Sequence, residues 1–305
     1  MRHDRLGRRG DLVPEGEAGR LTLPRSRIGA VRAARRLNQA SGMLALSVLA
    51  DSAVEHYRGR FENRAMYTPL VVSTLSILAS LHGTADRRRG AHRARDASYL
   101  LAGAAGLAGF GFHLYNVGKR EGGYRTINNF FYAAPIGAPG ALALSGLLGW
   151  ASERVRANRP GKSPTILGLP AGPVTALLTS GGLLGTVGEV GLLHFRGAFH
   201  NPGMYIPVTM PPVAAGLLAG SAALPGRRSR GLARLWLRLT ALMGFAGVAF
   251  HAYGVGRQMG GWRNWSQNVV DGPPLPAPPS FTGLALAGLA ALRLLEDHPP
   301  ENDHG

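Results

Sequence analysis

Apolar residues collect in eight stretches, roughly 37–57, 67–85, 97–117, 130–151, 171–195, 205–224, 232–255 and 279–295, separated by short polar runs. Each is close to the ~20 residues that an α-helix needs to cross the hydrocarbon of a bilayer. The pattern predicts an all-α, polytopic membrane protein of eight transmembrane helices. Pro207, Pro211 and Pro212 fall in or beside the sixth stretch and predict a kink there.

The polar runs alternate in character. Arg87, Arg88, Arg89, Arg93 and Arg95 follow the second stretch, Arg154, Arg156, Arg159 and Lys162 the fourth, and Arg227, Arg228, Arg230 and Arg234 the sixth. With the ten arginines of residues 1–36, these place 23 of the 34 basic residues on one side, against nine in the opposite loops. The positive-inside rule then puts both termini in the cytoplasm and the chain in the inner, or plasma, membrane. A basic tail (1–36), a first membrane unit (37–151), a cytoplasmic linker (152–170), a second membrane unit (171–295) and an acidic tail (296–305) complete the expected organisation.

The two membrane units repeat one another. His56, Arg58, Gly59, Phe61, Asn63, Met66, Tyr67 and Pro69 return, 138 residues later, as His194, Arg196, Gly197, Phe199, Asn201, Met204, Tyr205 and Pro207. Gly106, Gly109, Phe112, His113, Tyr115 and Gly118 return as Gly244, Gly247, Phe250, His251, Tyr253 and Gly256, and Gly122, Gly123 and Arg125 as Gly260, Gly261 and Arg263. Asn128 and Asn129 then fall opposite Ser266 and Gln267. Units with an even number of crossings insert the same way up. The expectation is therefore two parallel four-helix repeats about an axis along the membrane normal.

Composition narrows the chemistry. The net charge of +17 is spread between apolar stretches instead of gathered in one domain, which excludes a nucleic-acid partner. Membrane lipid is the expected surrounding, and no cleavable signal peptide is visible. Cysteine is absent, which removes thiolate metal sites, disulfides and iron–sulfur clusters. No nucleotide-binding glycine loop, zincin motif or nucleophile elbow is present.

What remains is a layer of four histidines, His56, His113, His194 and His251, at the outer ends of the odd-numbered helices. One use is haem b held by two axial imidazoles in each unit, with Gly109 and Gly247 one turn before a histidine leaving room for the macrocycle. Arg58 and Arg196 would then meet its propionates. The same glycines also suit plain helix packing in lipid. A second use is a directly bound metal ion on Asp51, His56 and His113, and on Glu189, His194 and His251. Positions five apart lie about 140° apart round a helix, which opposes a shared site. The third is a quinone head group beneath the outer loops. Together these suggest an electron-transfer anchor for a periplasmic or extracytoplasmic redox subunit. The alternatives are a small-solute or ion transporter, or a structural membrane subunit.

Overall fold

The computed structural model describes residues 25–132, 135–159, 162–224 and 226–297. Eight long helices are present among them: α1 (Arg25–Arg58), α2 (Thr68–Ala85), α3 (Arg93–Gly118), α4 (Gly137–Arg156), α5 (Ala171–Arg196), α6 (Ile206–Ala223), α7 (Arg227–Gly256) and α8 (Pro279–Asp297). A two-stranded hairpin, β1 (Thr165–Ile166) with β2 (Leu169–Pro170), lies between α4 and α5. The expected basic tail before residue 25 and the end of the acidic tail beyond 297 lie outside the described residues.

The expectation of eight crossings in two four-helix repeats does not hold. Among the described residues five helices are long and apolar enough to cross a membrane: Arg64–Ala85, Arg93–Gly118, Ala171–Arg196, Pro202–Ala223 and Arg228–Gly256. Their apolar windows bury only 17–28% of their residues within the protein, so most of each surface is left for lipid. The protein is a polytopic all-α membrane protein, with five membrane-length helices among the described residues.

The other three, α1, α4 and α8, form the centre. α1 packs against α2, α4 and α8, while α4 also lies on α3, and α8 on α5 and α7. The apolar runs of these three are interrupted by polar and charged residues, Asn38, Asp51 and Glu55 in α1, Glu153, Arg154 and Arg156 in α4, and Arg293, Glu296 and Asp297 in α8, so eight stretches of similar length do not mean eight spans. In α8, Phe281, Leu284, Ala285, Ala287, Ala290, Ala291, Leu292, Leu294 and Leu295 are all buried.

α1 begins twelve residues before its apolar stretch. Ala30, Ala33, Ala34, Leu37, Ala40, Leu44, Ala45 and Val48 are buried at spacings of three and four, one continuous face. The alanines let neighbours approach closely, and the arginines between them take the remaining faces. In α6, Pro207 occupies the first turn, where its missing N–H costs nothing, and the helix continues through Pro211 and Pro212.

Packing between the halves is unequal. α1 of the first half lies tightly on α8 of the second, whereas α5 touches α4 only sparsely. The space left between α4 and α5 becomes a cavity.

Candidate functional site: the outer loops and the cavity between the halves

The residues shared by the two halves build the same two structures twice. The first follows α1 and α5. His56 Nδ1 lies 2.6 Å from the Met66 carbonyl oxygen, and His194 Nδ1 2.7 Å from that of Met204. A carbonyl only accepts, so both imidazoles donate from Nδ1 and leave Nε2 unprotonated when neutral. Gly59 and Gly197 make room for the methionine methyls: a Cβ there would stand 2.9 and 3.0 Å from the Cε atoms of Met66 and Met204.

The chain then turns through pairs of non-glycine residues with left-handed backbone. Arg60 and Phe61 have φ of 52° and 48°, and Ala198 and Phe199 φ of 54° and 44°. Amide bonds from Phe61 to the His56 carbonyl and from Phe199 to that of His194, each 3.0 Å, hold the turn. Phe61 stacks on Tyr67 at 4.5 Å, and Phe199 on Tyr205 at 4.6 Å. Asn63 and Asn201 cap the short 3-10 helices that lead into α2 and α6. Nearly every residue of the shared block thus has a place in the turn.

The second structure follows α3 and α7. His113 Nδ1 donates to the Pro135 carbonyl at 2.5 Å, and His251 Nδ1 to that of Pro274 at 2.6 Å. Asn129 Nδ2 donates to the Glu121 and Gly123 carbonyls, and Asn268 Nδ2 to those of Met259 and Gly261. Asn129 therefore corresponds to Asn268, not Gln267. One extra residue before Asn268 moves the register from 138 to 139, and Pro135 accordingly matches Pro274.

This register explains the helix glycines. A Cβ on Gly109 would stand 3.3 Å from Pro139 Cβ, and one on Gly247 2.8 Å from Pro278 Cβ. On Gly106 it would come within 2.3 Å of the Ala143 nitrogen, and on Gly244 within 2.2 Å of Thr282 Oγ1. The space beside these glycines is filled by α4 and α8, so they serve close helix packing.

Within each half the two imidazoles are electrostatic neighbours, His56 with His113 and His194 with His251. Among the described residues, no group of three or more His, Cys, Asp or Glu side chains is placed to hold a metal ion. The expected sets Asp51–His56–His113 and Glu189–His194–His251 therefore do not assemble as metal sites. Arg58 pairs with Glu55 at 2.8 Å, while Arg196 donates to the Phe131 carbonyl at 3.0 Å and lies over the Tyr132 ring.

The cavity between the halves measures about 2790 Å³. Its lining on α5 runs from Leu177 to Gly197, about 30 Å at 1.5 Å per residue. Leu144, Leu178, Leu239, Leu242, Met243 and Phe281 supply its apolar body. Asp51, Glu189, His194, His251, Arg58 and Arg196 line its polar part, at the end opposite the arginine-rich one. Glu189 packs against Gly137 at the start of α4, where a Cβ would stand 2.8 Å from the Glu189 Cγ, and Asp51 has Glu55 and Glu189 as its charged neighbours. The cavity is lined by His194 and His251 but not by His56 or His113. The matched histidines thus meet different surroundings.

No known protein family, curated protein or solved structure matches the chain. Function must be read from the geometry alone.

The opposite, arginine-rich end holds a cluster that the sequence reading did not single out. Glu153, fully buried, receives Arg95 Nε and Nη2 at 2.9 and 3.0 Å and the His92 backbone N–H at 2.8 Å. Arg95 Nη1 also reaches Asp86 at 2.9 Å. Arg156 donates to the carbonyls of Gly83, Asp86 and Arg88, closing the end of α2. Deeper in, Tyr99 donates to Asn38 Oδ1 at 2.5 Å, Ser152 to the same oxygen at 3.1 Å, and Ser41, Ser76, Ser80 and Ser145 join through hydroxyl contacts of 3.0–3.3 Å. The available signal was the set of positions where the halves differ, since Asn38, Tyr99 and Glu153 have no polar counterpart.

Proposed function

We propose that the protein is a membrane anchor of the electron-transfer class, holding a long-chain quinone in the cavity between its halves. The observation that carries this reading is the shape and chemistry of that cavity. Its α5 wall is largely apolar from Leu177 to Gly188, about 17 Å, and its far end carries the carboxylates of Asp51, Glu55, Glu189 and Asp271 and the imidazoles of His194, His200 and His251. A small polar solute has no use for so long an apolar wall. An isoprenoid chain does, and the burial of its methylenes favours binding at about 0.8 kcal/mol each.

The polar end suits the head group. Reduction of a quinone adds two electrons and two protons, and its carbonyl oxygens require hydrogen-bond donors. His194 and His251, with Nδ1 committed to backbone carbonyls, donate from Nε2 only when protonated, so each imidazolium offers one proton in a fixed orientation. Asp51 and Glu189, which line the same cavity, would return protons to them in this reading. In this reading the arginine-rich end faces the cytoplasm, and an extracytoplasmic redox subunit supplies electrons at the outer loops. Haem b, the other cofactor considered, retains the four imidazoles but lacks the slot expected beside Gly109 and Gly247.

The test is extraction. Protein purified in mild detergent from native membranes, then extracted with organic solvent, yields close to one quinone per chain by chromatography with ultraviolet detection. Gly185→Phe adds a bulky side chain at an open position of the α5 lining and removes most of that quinone. A folded parent protein with no quinone above the detergent background contradicts the proposal. A Soret band in its spectrum redirects it to haem.

A further inference from the structure

Away from the cavity, four arginines meet where α1, α7 and α8 come together at the arginine-rich end. Arg36 of α1 has Arg293 of α8 and Arg238 and Arg234 of α7 as its charged neighbours. Arg234 and Arg238 are one turn apart on one face of α7. Arg36, Arg234 and Arg293 are partly buried, and Arg238 is exposed beside them. Two carboxylates answer them among the described residues: Glu296 pairs with Arg234, and Asp297 stands 3.5 Å from Arg293. That second pair is too loose for a hydrogen bond. Arg293 Nε and Asp297 Oδ2 are both buried without a hydrogen-bond partner. Four guanidiniums against two carboxylates leave an excess of two positive charges.

The first half is more fully paired. There Arg95 is held in a fork by Glu153 and again by Asp86, and Arg156 spends its Nη donors on three carbonyls, although its Nε, like that of Arg293, is buried without a partner. Like-charged side chains held together while partly desolvated are unfavourable unless an anion joins them. A phosphate group supplies it, since guanidinium forks match its oxygens in pairs.

The depth points to lipid. Arg234 and Arg238 lie six and ten residues into the membrane-length segment Arg228–Gly256, about 9–15 Å from its start. Beyond Arg234, Leu235, Leu239 and Leu242 continue along α7 as exposed apolar side chains, the last two also lining the cavity. A phosphate at the arginines places acyl chains against these leucines. We propose that Arg36, Arg234, Arg238 and Arg293 bind the phosphate of an anionic phospholipid in the leaflet on the arginine-rich side. The four arginines lie outside the cavity lining, although the acyl chains would share Leu239 and Leu242 with it, and the proposal does not rest on the quinone reading.

Native mass spectrometry of the full chain, released from nanodiscs of mixed phosphatidylglycerol and phosphatidylcholine, reads the site. The parent protein retains one phosphatidylglycerol. Arg36→Gln with Arg238→Gln lowers that retention about 30-fold, the worth of two basic residues at a membrane surface. Arg36→Lys with Arg238→Lys, which keeps the charge, recovers part of it and controls for folding. Arg87→Gln with Arg88→Gln, in the exposed loop of the same end, changes nothing. Excess soluble glycerol phosphate leaves the bound lipid in place. Displacement by that compound overturns the lipid as the source of the phosphate. Equal retention by the parent and the Arg36/Arg238 glutamine variant, or equal loss in the Arg87/Arg88 control, overturns the site itself.

Discussion

The interiors of the two halves are built on matching helix positions with opposite chemistry. Asn38, Ser76, Ser80, Arg95 and Tyr99 of the first half correspond to Ala176, Ala214, Leu218, Ala233 and Leu237 of the second. Beyond the one-residue shift, Ser145, Ser152, Glu153 and Arg156 correspond to Leu284, Ala291, Leu292 and Leu295. The helix contacts agree with this register: Gly149 makes room for the Tyr99 ring, and Gly288 for the Leu237 side chain. On the first side the members of this set are joined by hydrogen bonds and ion pairs, and on the second they are buried hydrocarbon. At the outer end the halves are alike down to individual bonds. A buried polar network and a buried apolar cluster therefore support the same outer turns, and the turns, not the core, are what the halves hold in common.

The comparison breaks most sharply at Glu153. Glu153→Ala leaves Arg95 without its fork and Arg156 without its nearest carboxylate in a dry interior, a loss of about 3–5 kcal/mol. Thermal unfolding in detergent should fall accordingly. Replacing the pair with its apolar counterparts, Arg95→Ala with Glu153→Leu, should recover more than half of the loss. If the double variant is no more stable than the single one, the first half cannot run on the second half's chemistry, and the equivalence of the two cores fails.

A middle-sized effect tests the likeness of the outer ends. His56→Ala and His194→Ala each free a partly buried carbonyl, of Met66 and Met204, at about 1–3 kcal/mol. The two losses should agree within about 0.5 kcal/mol in thermal unfolding, the scatter expected of independent sites. The parting appears in binding: His194 lines the cavity and His56 does not, so only His194→Ala should lower quinone retention. Equal effects of both variants on retention would mean that the imidazoles act through the fold alone.

The smallest expected effect is a pH dependence confined to the first half. Burial alone would raise the pKa of Asp86. The Arg88 backbone N–H and the Arg95 and Arg156 guanidiniums outweigh it and hold the carboxyl below its usual range. A depressed carboxylate stabilises the fold above its unfolded value, about 3.9, and that contribution is lost as pH falls through the folded value. Unfolding temperature should drop between pH 5 and pH 3, and Asp86→Asn should flatten this part of the curve. The second half has Leu224 at the matching place and contributes nothing there. An unchanged slope in Asp86→Asn assigns the acid sensitivity elsewhere.

Much of this was legible in the sequence. The eight apolar stretches mark eight long helices, though not the eight crossings expected of them, and the shared His, Asn, Gly and Met residues sit in matched turns at one end. Three things were not legible. Apolar length alone does not separate a lipid-facing helix from a central one such as α8, because protein and lipid both accept Leu and Ala. The retained histidines look like ligands in a list of residues, whereas their Nδ1 bonds to carbonyls follow from left-handed turns at Arg60–Phe61 and Ala198–Phe199, which no residue type announces. The cavity arises because α1 closes on α8 while α5 stands away from α4, and that inequality is a property of packing between distant segments.

The central claim, that this gap holds a quinone, is most directly tested by an experimental density map of the protein in nanodiscs made from its native lipids. The account predicts one elongated density along α5, with its head group among Asp51, Glu189, His194 and His251 and its chain running toward Leu177. A map in which α4 and α5 close together, or in which the gap holds only acyl chains with head groups at the arginine-rich end, would contradict it.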